Sequence, residues 1–329
     1  MADIDLSAMD RVLTLELVRV TERAAVAAAM MRGRGDEKAA DQAAVDAMRN
    51  ELNRLSIRGR VVIGEGERDE APMLFIGEEV GNGDGPEVDI ALDPLEGTTI
   101  CAKNLPNSLA VIAITHRNGL LNAPDVYMDK LAIGPGFPED FIELDMPPEE
   151  IVRRIAKEKD VRPHELTACI LDRPRHQKLI EAVRDTGVAI RLIGDGDVAG
   201  IIHTTDPETT GIDFYIGSGG APEGVLAAAA LRCMGGQIWG RLTLDTDEKR
   251  ARAERMGISE PRKIYSTEDM ASGDVLFAAT GVTDGNLLQG VSFRRGVAMT
   301  HTIVTRSHTG TQRWVRAKHI VEDKFEFID

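Results

Sequence analysis

Residues 88–98 of the chain read VDIALDPLEGT, an apolar run followed by a turn that carries two carboxylates. The run VDIAL is short and apolar, which is typical of a buried strand, and Asp93-Pro94 ends it. Asp93 and Glu96 are three residues apart around the proline, so a helical turn beginning at Leu95 would point both side chains to one place. We therefore predict a strand whose end carries a pair of acidic side chains.

The residues after Glu96 indicate a place for an anion. Gly97, Thr98 and Thr99 would present backbone N–H groups at the start of a helix, where a phosphate is stabilised. The same six residues, DPLEGT, also fit a plain turn in which the aspartate caps the chain and the proline stiffens it. Taken alone, the segment leaves both interpretations open.

A second predicted strand also ends in carboxylates. Residues 60–63 read as a short buried strand, and Gly64-Glu65-Gly66-Glu67 follows it. Hard cations such as Mg²⁺ and Mn²⁺ take oxygen ligands, and sites that use them on phosphates draw carboxylates from separate chain segments. The two strand ends therefore indicate a cation site, although acidic residues after a strand are often only solvated loop.

Helical and strand patterns alternate along the chain. Apolar residues recur at intervals of three and four over residues 6–31, which predicts a long amphipathic helix, and a second helix is expected over 37–55. Residues 108–115 (SLAVIAIT) predict a third strand. Beyond about residue 165, strand and helix patterns alternate, which favours parallel or mixed sheets with crossover helices.

The end of the chain and the change of pattern define the expected domains. Two β-rich runs near the C-terminus are expected to form a hairpin across residues 307–310. We predict an α/β protein with an N-terminal half, residues 1–160, and a C-terminal half, residues 161–329.

Charge and composition exclude several classes of protein. With 39 Lys and Arg against 54 Asp and Glu, the net charge of −15 argues against a nucleic-acid partner. Three scattered cysteines without a C-x-x-C pair indicate neither a disulfide framework nor a zinc site. The N-terminus has no signal-peptide core, and no run of about 18 apolar residues occurs, so we expect a cytoplasmic protein without a membrane partner.

Seven ordered motifs span nearly the whole chain. They are GRGDEKAAD (33–41), VVIGEGERDEAPM (61–73), VDIALDPLEGT (88–98), NAPDVYMDKL (122–131), DRPRH (172–176), DGDV (195–198) and GGAPEGV (219–225). Together they resemble the class II, GlpX-type fructose-1,6-bisphosphatases of the lithium-sensitive, metal-dependent phosphatase superfamily. DPLEGT is similar to an element shared with inositol monophosphatases, and APEGVLAAAALRCMGG is similar to that superfamily's C-terminal metal motif.

The resemblance implies a fold, a reaction and a cofactor. The fold is a layered αβαβα sandwich with mixed sheets. The reaction is hydrolysis of the 1-phosphate of fructose 1,6-bisphosphate to fructose 6-phosphate and phosphate, in gluconeogenesis or the Calvin cycle, with Mn²⁺ or Mg²⁺ as cofactor. Sedoheptulose 1,7-bisphosphate is a second candidate substrate, and a homodimer or homotetramer is expected.

The resemblance also implies which residues form the site. The implied metal ligands are Asp41, Glu65, Asp93, Glu96 and Glu223. The implied catalytic residues are Thr98, beside the attacking water, with Asp69 and Glu67 nearby to orient the water or accept its proton. The implied substrate-binding residues are Glu96, Gly97, Thr98, Tyr127, Arg173, Arg175, Asp195, Gly196, Asp197 and Gly220.

Residue chemistry agrees with these implied roles. An arginine forks onto phosphate oxygens, which suits Arg173 and Arg175 for a phosphate remote from the cleaved bond. Asp195 and Asp197, one glycine apart, can accept hydrogen bonds from sugar hydroxyls. Glu223 at a helix start has a simpler interpretation, since a carboxylate there also complements the helix dipole.

Two other functions remain open on the sequence alone. One is a phosphatase acting on inositol phosphates or phosphonucleotides, against which the two arginines and the DGD pair argue. The other is a silent sugar-phosphate-binding protein, which has no physical need for five carboxylates that repel one another without metal. Redox control through Cys101, Cys169 or Cys233 is a further hypothesis, although free cysteines are more often small buried apolar residues.

Overall fold

The structure, a computed structural model, describes residues 13–66 and 73–321. Within these ranges the helices are α1 (Leu13–Met30), α2 (Glu37–Leu52), α3 (Thr98–Ala102), α4 (Pro148–Lys159), α5 (Gln177–Asp185), α6 (Asp197–Ile202), α7 (Pro207–Thr210), α8 (Ala221–Met234), α9 (Asp247–Arg255) and α10 (Thr267–Met270). Short 3₁₀ turns occur at Pro163–Glu165, Pro174–His176 and His203–Thr205.

The strands of the same ranges form two sheets. They are β1 (Arg58–Ile63), β2 (Glu79–Val80), β3 (Glu87–Glu96), β4 (Leu109–His116), β5 (Tyr127–Ile133), β6 (Thr167–Leu171), β7 (Ala189–Ile193), β8 (Phe214–Gly220), β9 (Gln237–Leu242), β10 (Val275–Gly281), β11 (Ser292–Arg294), β12 (Val297–Arg306) and β13 (Thr311–Ile320). Both sheets combine parallel and antiparallel pairs, and helices pack on both, so the predicted α/β class is confirmed.

The chain forms two compact units, one of which is inserted into the other. The inserted unit is residues 118–273, and the split unit contains the residues up to Arg117 together with those from Asp274 onward. These boundaries differ from the single division near residue 160 that the sequence suggested. The physical reason is β10, which pairs antiparallel with β4 and so returns the C-terminal strands to the first sheet.

The split unit is a sheet covered by two helices on one face. Its strand order is β11-β12-β10-β4-β3-β1-β2, with β13 paired to β12. α1 contacts β3, β4, β10 and β12, and α2 contacts β3. The interface buries small and branched apolar side chains, among them Ala24, Ile112 and Ala278. Alanines on α1 let the helix approach the sheet closely, which explains the apolar periodicity of this segment.

The turn after residue 92 differs from the expected helical turn at Leu95. Strand β3 continues through Glu96, and its register against β4 shifts between Asp93 and Glu96 as at a β-bulge. Pro94 lies in this irregular stretch, because a proline cannot donate a ladder hydrogen bond and is tolerated in sheets at bulges. Helix α3 begins only at Thr98.

The inserted unit has helices on both faces of a five-stranded sheet of order β7-β6-β8-β5-β9. Side chains of α4 and α5 pack in one apolar core with β5, β6 and β8, whereas α6 and α8 contact one another and the same sheet. β6 runs parallel to β7 and β8, while β5 runs antiparallel to β8 and β9. The carboxyl ends of β6, β7 and β8 therefore share one edge with the amino end of β5.

Other local predictions can now be compared with the structure. The C-terminal hairpin is confirmed, since β12 and β13 pair antiparallel across the predicted turn. The second helix ends at Leu52, three residues earlier than expected. The first helix is confirmed from Leu13 to Met30, and residues 6–12 lie outside the described ranges. Among the described helices, none combines the length and apolar character needed to span a bilayer.

Candidate active site

Three acidic side chains of the split unit come from three different elements. Asp41 lies in the second turn of α2, Glu65 follows β1, and Asp93 lies on β3. β1 and β3 are parallel, with Ile63 beside Ala91. Parallel register carried two residues further brings Glu65 beside Asp93. α2 packs on β3, which explains how residue 41 joins them.

Burial and the acidic neighbours of Glu65 act on its pKa in the same direction. Burial, followed by the nearby charges of Asp93 and Asp41, raises its pKa to about 9. Burial also raises the pKa of Asp41. In the absence of a cation, Glu65 therefore holds a proton at neutral pH, because an ionised carboxylate there would be desolvated and close to like charges.

The DPLEGT segment places a glycine and a threonine at the start of α3. The side chain of Asp93 accepts a hydrogen bond from the Leu95 N–H at 2.9 Å, and the Ser108 hydroxyl donates to the Glu96 carbonyl at 2.9 Å. Gly97 has φ of +78°, a left-handed conformation that favours glycine. Thr98 is the first helical residue, three residues after the expected start at Leu95.

The chemistry of this donor set fits a hard divalent cation. All the side chains concerned are carboxylates, and their mutual repulsion is the kind that such a cation relieves. Over residues 13–66 and 73–321, no three His, Cys, Asp or Glu side chains already converge as a metal cluster. The predicted catalytic residues Glu67 and Asp69 lie outside the described residues.

The inserted unit gathers the remaining predicted site residues at the sheet edge described above. Tyr127 begins β5 and pairs with Gly220 at the end of β8. The other members follow β6, follow β7 or begin a helix at the same edge; they are Arg173, Arg175, Asp195, Gly196, Asp197 and Glu223. We call this set the substrate edge. Residues far apart along the chain share it because β6 is parallel to β7 and β8, and β5 is antiparallel to β8.

The two predicted phosphate-binding arginines have different surroundings. The Nε and Nη2 groups of Arg175 donate to the Ser218 carbonyl at 3.0 and 2.6 Å, and its Cζ lies 4.5 Å from the Tyr127 ring centroid. The Nη2 of Arg173 is 4.0 Å from Asp195 Oδ1. Arg175 is thus held by two short hydrogen bonds, whereas Arg173 has only a long ion pair and a 3.5 Å hydrogen bond from its Nη1 to the Asp172 carbonyl among its described contacts.

His176 links the ends of β6 and β8. Its Nδ1 is 2.7 Å from the Leu171 carbonyl, and the Ser218 N–H donates to its Nε2 at 2.8 Å. This pattern requires a neutral ring with its proton on Nδ1. Burial lowers the pKa of His176, in agreement with the neutral form. The sequence placed His176 near the site but did not reveal this role.

Lys130 contacts two residues of the substrate edge, and the sequence analysis did not single it out. It lies on β5, has 0% exposed surface, forms an ion pair with Asp197, and donates to the Gly220 carbonyl at 2.8 Å. Its neighbours in the strand YMDKLAI are mostly apolar and buried, and a charged residue among them is the available signal.

The environment of the cysteines argues against redox control by them. Cys101, Cys169 and Cys233 are all buried and free. Burial raises the pKa of Cys101 to about 11 and that of Cys169 to about 12. A reactive cysteine is partly exposed and has a lowered pKa, which is the opposite of what is found for these two thiols.

The sequence matches the family model described as bacterial fructose-1,6-bisphosphatase, glpX-encoded, over residues 11–319. The chain belongs to this family. The resemblance stated from the motifs is thereby confirmed.

Two relatives are similar to this chain over nearly its whole length. Both are described as "D-fructose 1,6-bisphosphatase class 2/sedoheptulose 1,7-bisphosphatase". The one from Synechococcus sp. (strain JA-3-3Ab) is 46% identical, covering 95% of this chain and 96% of its own. The one from Trichodesmium erythraeum (strain IMS101) is 42% identical, covering 95% and 97%.

A solved structure, the extragenic suppressor protein suhB from Bartonella henselae, is similar to part of the chain. It is 17% identical with a TM-score of 0.33, covering 59% of this chain and 74% of that one. A likeness this loose carries no argument about fold or function.

Proposed function

We propose that this protein hydrolyses the 1-phosphate of fructose 1,6-bisphosphate, giving fructose 6-phosphate and phosphate. The observation that carries the proposal is the interaction of Glu65 with Asp93 and Asp41. Three buried or half-buried carboxylates that repel one another destabilise a fold unless something is bound between them. In a chain of this family, a divalent cation is the group that fits.

Asp41, Glu65, Asp93, Glu96 and Glu223 would hold that cation, Mn²⁺ or Mg²⁺. When bound, it supplies Lewis-acid stabilisation of the charge that develops on the phosphoryl oxygens. Glu223 belongs to the inserted unit and the other four to the split unit.

Thr98 is proposed to orient the attacking water through its hydroxyl. A threonine hydroxyl is a weak base, so the proton must pass to a stronger acceptor, for which Asp69 and Glu67 are the candidates. Glu96, Gly97 and Thr98 would also contact the substrate. The left-handed Gly97 lets the chain turn directly into α3, so the Thr98 side chain begins the helix.

The substrate edge is proposed to bind the sugar and its remote phosphate. Arg173 would donate most of the charged hydrogen bonds to that phosphate, since two donors of Arg175 already bind the Ser218 carbonyl. Asp195, Gly196, Asp197, Gly220 and Tyr127 would contact the sugar. The protein's net charge of −15 does not oppose this, because bound cations and the two arginines set the local field.

Finer features of the proposal rest on the family alone. They are action on sedoheptulose 1,7-bisphosphate as well, a place in gluconeogenesis or the Calvin cycle, a cytoplasmic location, and a homodimeric or homotetrameric state.

A substrate panel tests the proposal. Phosphate release is measured from fructose 1,6-bisphosphate, sedoheptulose 1,7-bisphosphate, fructose 6-phosphate and inositol 1-phosphate, each with Mg²⁺, Mn²⁺, EDTA or added Li⁺. We expect metal-dependent release from the fructose bisphosphate and none with EDTA. Preferential release from inositol 1-phosphate would contradict the proposal, and no release from any compound would favour a silent binding protein.

A further inference from the structure

The buried lysine of β5 lies in space that glycines leave open. Lys130 has 0% exposed surface, and its two cross-strand neighbours are Gly217 on β8 and Gly240 on β9. Gly224 on α8 passes beside the chain, so that a Cβ there would lie 3.4 Å from Lys130 Cδ. The missing side chain of Gly224 therefore leaves room for the long side chain of Lys130, whereas Gly240 leaves room for Met128.

The ammonium group emerges between two parts of the substrate edge. It pairs with the Asp197 carboxylate, on the first residue of α6, and donates to the Gly220 carbonyl at 2.8 Å. A Cβ on Gly219 would lie 2.1 Å from Asp197 Oδ2 and 3.1 Å from Lys130 Nζ. The ion pair is therefore packed directly against the backbone of Gly219 and Gly220 at the end of β8.

The end of β8 also sets the position of Glu223. A Cβ on Gly220 would lie 1.9 Å from Glu223 Oε2, so the carboxylate rests on the glycine backbone. A lysine that fixes the Gly220 carbonyl therefore also fixes the surface against which Glu223 packs. One ammonium group joins the DGD segment, the end of β8 and the start of α8.

We propose that Lys130 is a positioning residue for the sugar-binding side chains, an inference that rests on the proposed function. It holds Asp197 through Oδ2 and leaves Oδ1 directed to a sugar hydroxyl. It also holds the backbone of Gly219 and Gly220, at the end of β8, in the conformation that contacts the substrate.

Stability alone is a poor explanation for this ion pair. Replacing a buried ion pair with apolar residues of similar volume is often neutral or stabilising, so such a pair is weak evidence for a purely structural role. Lys130 acts at the end of β5 where the substrate edge lies. A more exposed lysine–aspartate pair occurs at the opposite end of the same sheet, where Lys159, with 30% of its side chain exposed, pairs with Asp213, which also accepts from the Thr167 N–H at 2.7 Å.

The test compares Lys130→Met, Lys130→Arg and the control Lys159→Met. Steady-state kinetics with fructose 1,6-bisphosphate and saturating Mg²⁺ give kcat and KM, calorimetry gives the Kd of fructose 6-phosphate, and urea unfolding defines conditions in which each variant is folded. Lys130→Arg keeps the charge and is expected to fold. Its planar guanidinium cannot place one point charge between Asp197 and Gly220, so it reports on geometry even if Lys130→Met does not fold.

For both Lys130 variants we expect KM and the Kd of fructose 6-phosphate to rise about tenfold or more, with a smaller change in kcat. Lys159→Met is expected to lose stability while keeping both constants. Folded Lys130 variants with wild-type KM and Kd would overturn the inference while leaving the proposed function intact. A wild-type protein without metal-dependent activity would overturn the proposed function, and the role of Lys130 with it.

Discussion

Arg175 lies over the ring of Tyr127, with its Cζ 4.5 Å from the ring centroid, while two of its nitrogens donate to the Ser218 carbonyl. The Arg175 guanidinium, which lies in the 3₁₀ turn before α5, thus contacts both the start of β5 and the end of β8. Arg175→Ala removes these contacts together with a positive charge that we propose to bind phosphate. We expect KM for fructose 1,6-bisphosphate to rise roughly 10- to 100-fold, because hydrogen bonds to charged groups are worth about 1.5–3 kcal/mol.

Steady-state kinetics measure this effect. Arg153→Ala is a suitable control, since Arg153 pairs only with Glu150 on the exposed side of α4 among its described contacts. An unchanged KM in Arg175→Ala would contradict the proposal that Arg175 binds the substrate's phosphate.

His176 predicts a loss of stability in mild acid. Its folded-state pKa lies below the ordinary 6.5, so the neutral ring is favoured in the folded state. Below pH 6.5 His176 is protonated more readily in the unfolded chain than in the folded chain. The free energy of unfolding therefore falls as pH falls. Above that pH the stability is fully present.

The measurement is urea unfolding between pH 5 and pH 8 for wild type and His176→Gln. Glutamine can accept from the Ser218 N–H and does not titrate, so we expect a shallower decline below pH 6.5 in the variant. Identical pH profiles would show that His176 is not a source of the acid sensitivity.

Glu65 predicts a pH effect of the opposite sign in metal-free protein. Its pKa rises from 4.5 to about 9 on folding, so the folded state holds the extra proton. With EDTA present, stability should be highest below pH 4.5 as far as this group is concerned, and should decline as pH rises towards 9. A bound divalent cation should reverse the decline, because it favours the ionised carboxylate.

Thermal unfolding at pH 6 and pH 8.5, with EDTA or Mg²⁺, tests this for wild type and Glu65→Gln. In EDTA the variant should show a smaller decline between the two pH values. Mg²⁺ should raise the Tm of wild type by several degrees and that of the variant by much less, according to the linkage of ligand binding to stability. Equal stabilisation of both proteins by Mg²⁺ would count against Glu65 as a ligand.

Thr98→Ala should reduce kcat severely, by about 10²-fold or more, with little change in stability. Thr98 is half-buried at the start of the short helix α3, and alanine is a good helix former. Thr98→Ser retains the hydroxyl and serves as the control, with most of the activity expected to remain. Near-normal turnover in Thr98→Ala would contradict its assignment beside the attacking water.

The strands that end in acidic residues could be predicted because their pattern is local. Residues 60–63 and 88–92 are apolar runs followed by Gly, Pro and carboxylates, and both are strands in the structure. The bulge between Asp93 and Glu96 could not be predicted in this way. It depends on the register of β3 against β4, which is a non-local pairing.

Two strands of the inserted unit, β5 and β9, were not predicted from the sequence. β5 has Asp129 and Lys130 in its middle and does not read as a central strand, because burial of lysine is normally costly. The cost is offset by Asp197, which is 67 residues away in the sequence. β9 was also not predicted, and its Gly240 gives no strand signal, since this glycine makes room for Met128, whose Sδ would lie 2.4 Å from a Cβ there.

The most direct test of the account follows fructose 1,6-bisphosphate by ³¹P NMR with the purified protein and Mg²⁺, and again with EDTA. The account predicts that the resonance of the 1-phosphate disappears, that inorganic phosphate appears in equal amount, and that the 6-phosphate remains, only when the metal is present. Loss of the 6-phosphate, or hydrolysis that continues unchanged in EDTA, would contradict it.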